Sequence, residues 1–358
     1  MSYTIPIGPY HPALEEPYKL ELVCEGETVR EAQLQIGFNF RAIELIAQSR
    51  NVIQNIALFE RVCGICSNVH TLTYCLAVEN LLGIEPPLRA QYIRVIVAEL
   101  ERLHSHILWA GAAAHILGFQ TLFMTCFRLR EIVMDLLERI SGNRVNYAMN
   151  AVGGVNRDLT EPQTIRDGIR QIQKAVEGLI LPVFSRDPTV RARCAGVGIL
   201  TKSDAIAWGV VGPTARASGV TQDIRQAQPY LVYDRLTFSV PLQESGDVLA
   251  RVLVRAMEMV ESCQIIEQAL DQLPGGEWKG QLFVELPPGE AVARIEAPRG
   301  EVFYYLASDG SEKPLRVKVR TPSFVNMPAV RLMLKGATLA DAPLIQASID
   351  PCYSCTDR

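Results

Sequence analysis

The segment ERVCGICSNVH, residues 60–70, carries Cys63 and Cys66 two residues apart, and the chain closes on SIDPCYSCTDR, residues 348–358, with Cys352 and Cys355 in the same spacing. A lone CxxC is ambiguous: it serves as a redox dithiol, as half of a zinc knuckle, or as a helix-entry turn with buried thiols. Two such pairs together make a closed set of four thiolates for a soft metal. Zinc ribbons close loops of about 15–20 residues, whereas nearly the whole chain separates Cys66 from Cys352. The spacing therefore predicts one site at the centre of the protein, with one pair from an early helix and the other from a terminus drawn inside. A terminus is normally the least ordered part of a domain; ligation would order this one.

The chain has 358 residues, 48% hydrophobic and 21% charged, the balance of an ordinary globular chain long enough for a large core. A net charge of −4 with no basic block leaves no electrostatic footprint for nucleic acid. The opening MSYTIPIGPYHPALEEP is broken by prolines and acids, does not read as a signal peptide, and leads us to expect a cytoplasmic chain. The longest apolar stretch, ILWAGAAAHILGF at 107–119, contains His115 and falls short of the about 20 residues that cross a bilayer. Five of the nine cysteines, Cys24, Cys75, Cys126, Cys194 and Cys263, stand alone and read as buried thiols.

Residues 18–37 alternate around CEGE and predict a hairpin, with strands near YKLELV and VREAQLQI. From about Phe40 to Ile140 apolar residues recur at helical spacing, as in Ile93, Ile96, Val97, Leu100, Leu103 and Ile107, with Arg94, Glu99, Glu101 and Arg102 on other faces. Three or four long helices are expected there. A turn-rich connector at 141–162 leads to a helix from about Thr160 to Leu181, and helical periodicity returns over Asp247–Leu273. EAVARIEAP, GEVFYYLAS and LRVKVR read as a small antiparallel sheet with a turn at Asp309–Gly310. The fold class is mainly α with small β elements (α+β): one domain, divided into an N-terminal β segment (1–37), a helical core (38–273), and a small sheet with a C-terminal metal-binding segment (274–358).

Both cysteine motifs resemble those of the large subunit of NiFe hydrogenases. IPIGPYHPALEEP (5–17), ERLHSHI (101–107) and SGNRVNY (141–147) resemble the membrane-bound, energy-converting branch of that family, which includes CO-linked and ferredoxin-linked enzymes. The likeness runs from Pro6 to Arg358. The related 49 kDa, quinone-site subunit of respiratory complex I shares the fold but lacks the cysteines.

This resemblance implies an NiFe(CN)2CO centre: Cys63 and Cys352 as terminal nickel ligands, and Cys66 and Cys355 bridging nickel to an iron that carries CO and cyanide. His70 matches the histidine that hydrogen-bonds a bridging thiolate. EAPRGEVFYY points to Arg299 as the guanidinium held over the open metal position, where it can polarise H2. RTPSF resembles the segment whose hydroxyl and backbone donate to a cyanide and points to Ser323, with Pro322 beside it, and Asp350 is expected either to pair with Arg299 or to cap its turn. For the proton that leaves the terminal thiolate Cys352, the HPxLEEP match favours Glu16, with Glu15 and Glu44 behind it. Glu44 lies in FRAIE, where Ala42 replaces a family glycine; in other branches its counterpart helps hold a magnesium ion near the C-terminus. Many members carry a C-terminal extension that is cut just after the His or Arg three positions beyond the last cysteine. Arg358 stands there and is expected to be buried or nearly so, and paired.

Once four cysteines are assigned, no pair or cluster is left for an iron–sulfur centre, and no G-x-G-x-x-G or Walker-type loop supports nucleotide binding. The resemblance therefore implies a small Fe–S hydrogenase subunit, a ferredoxin-like subunit and integral membrane ion-pumping subunits as partners, and soluble ferredoxin as donor to a complex peripheral on the cytoplasmic face of the membrane. Two further readings stay open: a non-catalytic connecting subunit of a complex I-like oxidoreductase, which has no reason to keep four thiols, and a structural zinc protein.

Overall fold

The computed structural model describes residues 2–12, 14, 16–280 and 285–358. Its first sheet has the order β1 (Ser2–Ile7), β2 (Lys19–Glu25), β3 (Thr28–Gln35), all antiparallel. The β2–β3 hairpin is the one expected from the alternation around Gly26, and β1 is an addition. Pro6 had masked it, since proline suits only an edge strand such as β1.

The expected run of helices is five: two short, α1 (Ile43–Ala47) and α2 (Val52–Glu60), and three long, α3 (Ser67–Leu82), α4 (Leu88–Ile116) and α5 (Gln120–Ser141). Glycines 83 and 142, both in the left-handed conformation, end α3 and α5. The connector that follows folds into the two-residue strands β4 (Asn150–Ala151) and β5 (Gly154–Val155). Next comes α6 (Pro162–Ala175), which continues through a π-helical turn at Val176–Ile180 into α7 (Leu181–Arg186). Pro182 has no N–H to give to the ladder there, and the wider turn absorbs the loss. The breaker-rich stretch holds four short helices: α8 (Pro188–Cys194), α9 (Lys202–Ala207), α10 (Gly212–Arg216) and α11 (Ile224–Ala227). Asp247 caps α12 (Val248–Asp271) by accepting from Ala250 N–H.

The second sheet is β6 (Gly289–Ala297), β7 (Gly300–Ser308), β8 (Arg316–Arg320), with Pro298–Arg299 as the two-residue turn between β6 and β7. The segment beyond it is more helical than the sequence reading allowed. It forms α13 (Pro322–Leu334), α14 (Ala342–Ser348) and α15 (Tyr353–Thr356), interrupted by prolines that hide the period.

Two apolar clusters organise these elements. The larger joins α4, α5, α6 and α12 to the first sheet and α13, while the smaller lies between α3 and the β6–β8 sheet and contains all four paired cysteines. Helix α4 is buried on almost every face, its charged residues included. Arg94 makes a two-pronged pair with Glu79 of α3 at 2.6 and 3.0 Å and donates to the carbonyls of Ala151 and Gly154, so one buried ion pair locks α3, α4 and the β4–β5 hairpin. No helix of the described residues is long and apolar enough to cross a membrane.

Removing one partner of a buried pair strands the other charge, which costs about 3–5 kcal/mol. Glu79→Ala should therefore lower unfolding stability by about that much, and Glu79→Ala with Arg94→Met should recover most of it. Equal losses in the single and double variants in denaturant melts would show that the pair is not the lock.

Candidate metal centre

Helix α2 ends at Glu60, and residues 61–66 turn back so that α3 begins directly after Cys66. The backbone N–H groups of Ile65 and Cys66 point at Cys63 Sγ, 3.2 and 3.4 Å away. The second pair arrives from the opposite end of the chain, with Cys352 just before α15 and Cys355 within it. Sγ–Sγ distances are 3.4 Å for Cys63–Cys352, 3.3 Å for Cys66–Cys355 and 3.1 Å for Cys352–Cys355. All four are buried, and the sulfurs of Cys63, Cys66 and Cys355 lie within 4.8 Å of one another.

The first residues of the chain's fold hold the last ones in place. Arg41 donates to the carbonyls of Arg61, Val62 and Ser354, and so ties both cysteine turns together. Glu16 accepts from the N–H groups of Tyr353 and Ser354, and Tyr18 stacks on Tyr353 with ring centroids 4.3 Å apart. Asn39 N–H donates to Asp357. Arg358 donates to Glu44 and to the Thr356 carbonyl and stacks on Phe324; its side chain is 9% exposed, nearly buried and paired as expected.

Around the sulfurs, the sequence-nominated residues converge. His70 Nε2 lies 3.4 Å from Cys355 Sγ and Nδ1 2.8 Å from the Tyr304 hydroxyl. Burial lowers the His70 pKa to about 4, so the ring is neutral and bridges the Tyr304 hydroxyl and the sulfur. Arg299 donates to the Asp350 carboxylate at 2.7 Å, to the Asp350 carbonyl at 2.8 Å and to Ser105 Oγ at 3.0 Å. Of the two expectations for Asp350, pairing with Arg299 is what is seen. Burial works against the Arg299 charge, but Asp350 and the sulfurs of Cys352, Cys66 and Cys63 outweigh it. Ser323 Oγ accepts from Cys352 N–H at 3.0 Å, which leaves its own O–H free, and Pro322 opens α13 beside it. Glu16 is partly buried, and burial raises its pKa against the two N–H groups from which it accepts. Glu15 lies outside the described residues.

A narrow cavity of about 10 Å³ borders Cys66 and Cys355 but neither Cys63 nor Cys352; His70, Ala297, Pro298, Arg299, Val302, Pro322 and Ser323 complete its wall. It has room for about one water and lies beside the second cysteine of each pair. Hydrogen bonds among the four sulfurs pull Cys63 well below the ordinary thiol range and push Cys66 and Cys355 well above it. Only a cation among them would let all four be thiolates, and the donor set fits a soft metal.

The description "Respiratory-chain NADH dehydrogenase, 49 Kd subunit" fits residues 117–285 and 281–358, and "Nickel-dependent hydrogenase" fits residues 41–110. The chain belongs to this family of NiFe hydrogenase and complex I 49 kDa-type subunits. It is 44% identical to the carbon monoxide-induced hydrogenase of Rhodospirillum rubrum, covering 100% of this chain and 99% of that one. It is 43% identical to the membrane-bound hydrogenase subunit alpha of Pyrococcus furiosus, over 99% of this chain and 87% of that one. Among solved structures, a chain of the membrane-bound sulfane sulfur reductase, an archaeal respiratory membrane complex, superposes with a TM-score of 0.95 at 36% identity, covering 100% of this chain and 98% of that one.

Glu44 does not fit the magnesium role that its family position suggests. Burial raises its pKa, but hydrogen bonds from Lys318 and Val319 N–H together with the Arg358 charge outweigh this and hold the carboxylate below its usual range. Lys318 and Arg358 both sit on its oxygens. Magnesium takes several oxygen ligands in octahedral array, and two side-chain cations stand where such a set would be. Ala42, in place of the family glycine, is held left-handed at φ 57°.

Sequence reasoning left Arg41, Ser105, Tyr304 and Thr321, which donates to the Cys355 carbonyl, without roles. Arg41 and Ser105 lie inside quoted motifs, FRAIE and ERLHSHI, which was the available signal. The five single cysteines are buried as expected; burial lifts Cys126 to about 12 and Cys194 to about 11, which leaves them unreactive.

Two glycines brace the turn that presents Arg299. A Cβ on Gly212, at φ +69°, would lie 2.4 Å from the Arg299 carbonyl oxygen, and one on Gly300 would lie 2.8 Å from Gly212 N. Gly212→Ala should destabilise the protein by about 1–3 kcal/mol and shift the Pro298–Arg299 turn. An unchanged melting temperature together with an intact Arg299–Asp350 bond in a structure of the variant would remove Gly212 from this role.

Proposed function

We propose that this protein is the catalytic subunit of an energy-converting NiFe hydrogenase. In this reading it forms or oxidises H2 reversibly, using electrons that a ferredoxin-type donor delivers through a partner Fe–S subunit. The single observation that carries the proposal is the four buried sulfurs beside a narrow cavity that Cys66 and Cys355, but not Cys63 or Cys352, border, with Arg299 in its wall. A structural zinc site needs no such cavity and no guanidinium over it.

Cys63, Cys66, Cys352 and Cys355 would hold nickel, and Cys66 and Cys355 would also hold iron. When bound, that centre supplies the redox chemistry that splits H2 into two protons and two electrons or reverses it. Arg299, fixed by Asp350 and Ser105, sets a permanent positive charge against the sulfurs and excludes water from the cavity wall. The Ser323 O–H and the Pro322 segment suit a cyanide nitrogen, and His70 donates to Cys355 while Tyr304 fixes its tautomer. In this reading Cys352 Sγ takes the proton. Glu16 sits on the backbone directly after Cys352, and burial moves its pKa toward the range a proton carrier needs.

Among the described residues the remaining cysteines do not cluster, so electrons have to come through a partner. We place the chain peripherally on the cytoplasmic side of a membrane complex, beside a small Fe–S subunit, a ferredoxin-like subunit and ion-pumping membrane subunits. The match of residues 117–358 to the 49 kDa subunit of NADH dehydrogenase favours a second reading, a non-catalytic connecting subunit. In that case the sulfurs would be dispensable.

Infrared spectra of the purified complex, between the amide and C–H regions, should carry bands of metal-bound CO and cyanide. Cys66→Ser and Cys355→Ser should lose those bands, nickel and H2 turnover together. Zinc in full occupancy with no such bands sinks the proposal.

Glu16→Gln keeps the shape and the two backbone contacts but takes up no proton. H2 evolution should drop at least about a hundredfold with nickel content unchanged, whereas Glu44→Gln, already bound to two cations, should retain most activity. The reverse ranking in the two assays would move the proton route to Glu44.

A further inference from the structure

Behind the Arg299–Asp350 pair lies a second buried guanidinium. Arg255, on α12, is 1% exposed and lies over the face of Trp109, 4.4 Å from the ring centroid. Its Nη1 donates to the carbonyls of Arg251 and Ser348 at 3.0 and 2.9 Å. Trp109 Nε1 donates to the Ala347 carbonyl at 2.8 Å, so the two stacked side chains grip the end of α14. That end runs straight into Asp350, whose own N–H returns to the Ala347 carbonyl and whose backbone is left-handed at φ 56°. A residue other than glycine there is costly by about 1–2 kcal/mol, so the position has to be enforced by its neighbours.

The hydrogen-bond inventory around this corner does not close among the described residues. Asp350 Oδ1 accepts from Arg299, but Oδ2 is buried with no partner among the described residues. Arg255 Nε and Nη2 are likewise buried and without partners. One unmet acceptor and two unmet donors are complementary, and Asp350 is the strongest opposing charge that Arg255 experiences. A buried polar group with no partner costs about 1–3 kcal/mol. A buried water typically makes about three hydrogen bonds, which is the number these atoms offer.

We propose that Arg255 is a positioning residue for Arg299, bound to Asp350 Oδ2 through one buried water so that the carboxylate is fixed between two guanidinium groups. The water accepts from Arg255 Nε and Nη2 and donates to Oδ2. Asp350 then cannot swing away, and Arg299 keeps its aim at the sulfurs. The role of Arg299 at the metal site rests on the function proposed above, but the clamp itself does not.

The test uses the intact complex, with Arg255→Gln, Arg255→Lys, Asp350→Asn and the Arg255→Gln/Asp350→Asn double variant. A structure of the wild-type complex should contain an ordered water within hydrogen-bond reach of the three atoms. In Arg255→Gln, the water should go and the Arg299 side chain should shift. Misplacement of about 1 Å costs up to about a hundredfold in rate, so turnover should fall about ten- to a hundredfold with nickel content and infrared bands retained. The double variant should fall no further than the worse single one, because both break the same link. Arg255→Lys keeps the charge but not the fork, and should lose turnover with normal assembly, which separates the clamp from a folding role. An empty map between Arg255 and Asp350, an unmoved Arg299 in Arg255→Gln, or multiplicative losses in the double variant each overturn the proposal. Absent CO and cyanide bands would defeat the hydrogenase reading instead, while the wild-type map and the Arg299 shift would still decide the clamp.

Discussion

Everything in this structure depends on bringing four sulfurs from the two ends of the chain to within 3.1–3.4 Å of their neighbours in the interior. Such a meeting is not favourable in itself, since buried thiols gain little from each other and the closing segment must bury polar backbone. The protein meets that cost with contacts that treat the C-terminal segment as if it were substrate. Arg41 holds three carbonyls from both cysteine turns, Glu16 takes two N–H groups of α15, Tyr353 is stacked by Tyr18, and Arg358 is paired by Glu44. The segments that flank the β2–β3 hairpin, Glu16–Tyr18 before it and Arg41–Glu44 after it, are thus part of the site's frame.

A second demand is to hold a charged finger still inside an apolar core. The β6–β7 turn that carries Arg299 is clamped from behind by Arg102, which donates to the carbonyls of Glu296 and Ala297. Arg102 belongs to a fully buried network with Glu99, Arg216, Asp223, Arg225, Glu258 and Glu296, whose members bond one another at 2.6–3.2 Å together with Tyr233, Ser262 and His106. Buried ion pairs are poor sources of stability once desolvation is counted. Their value here is geometric: planar guanidinium groups bridging α4, α10, α11, α12 and β6 leave the turn one position.

Much of the fold was readable from periodicity. The β2–β3 hairpin, the helices from Ile43 to Ser141, α12 and the β6–β8 sheet all follow from local alternation and turn residues. The departures share a cause in proline. Pro6 hid β1, Pro182 turned the expected continuation of α6 into a π-helical turn, and Pro322, Pro328 and Pro343 obscured the C-terminal helices. Proline reports the loss of one N–H and a fixed φ, and the surrounding structure decides whether that breaks an element or is absorbed.

The sequence by itself determined a candidate donor set. Four cysteines in two CxxC pairs are legible because residue identity and short spacing are local properties, whereas Arg299, His70, Pro322, Ser323 and Asp350 were singled out by the motifs that resemble a known family. The tertiary structure decided the rest: that of the four paired cysteines the cavity borders Cys66 and Cys355, that Tyr304 and Ser105 support His70 and Arg299, that Arg41 joins the two cysteine turns, and that Lys318 and Arg358 pair with Glu44. Each of these relates residues dozens to hundreds of positions apart. Such contacts are fixed by the direction a side chain takes from its helix or strand and by which buried group lacks a partner, and a linear pattern encodes neither.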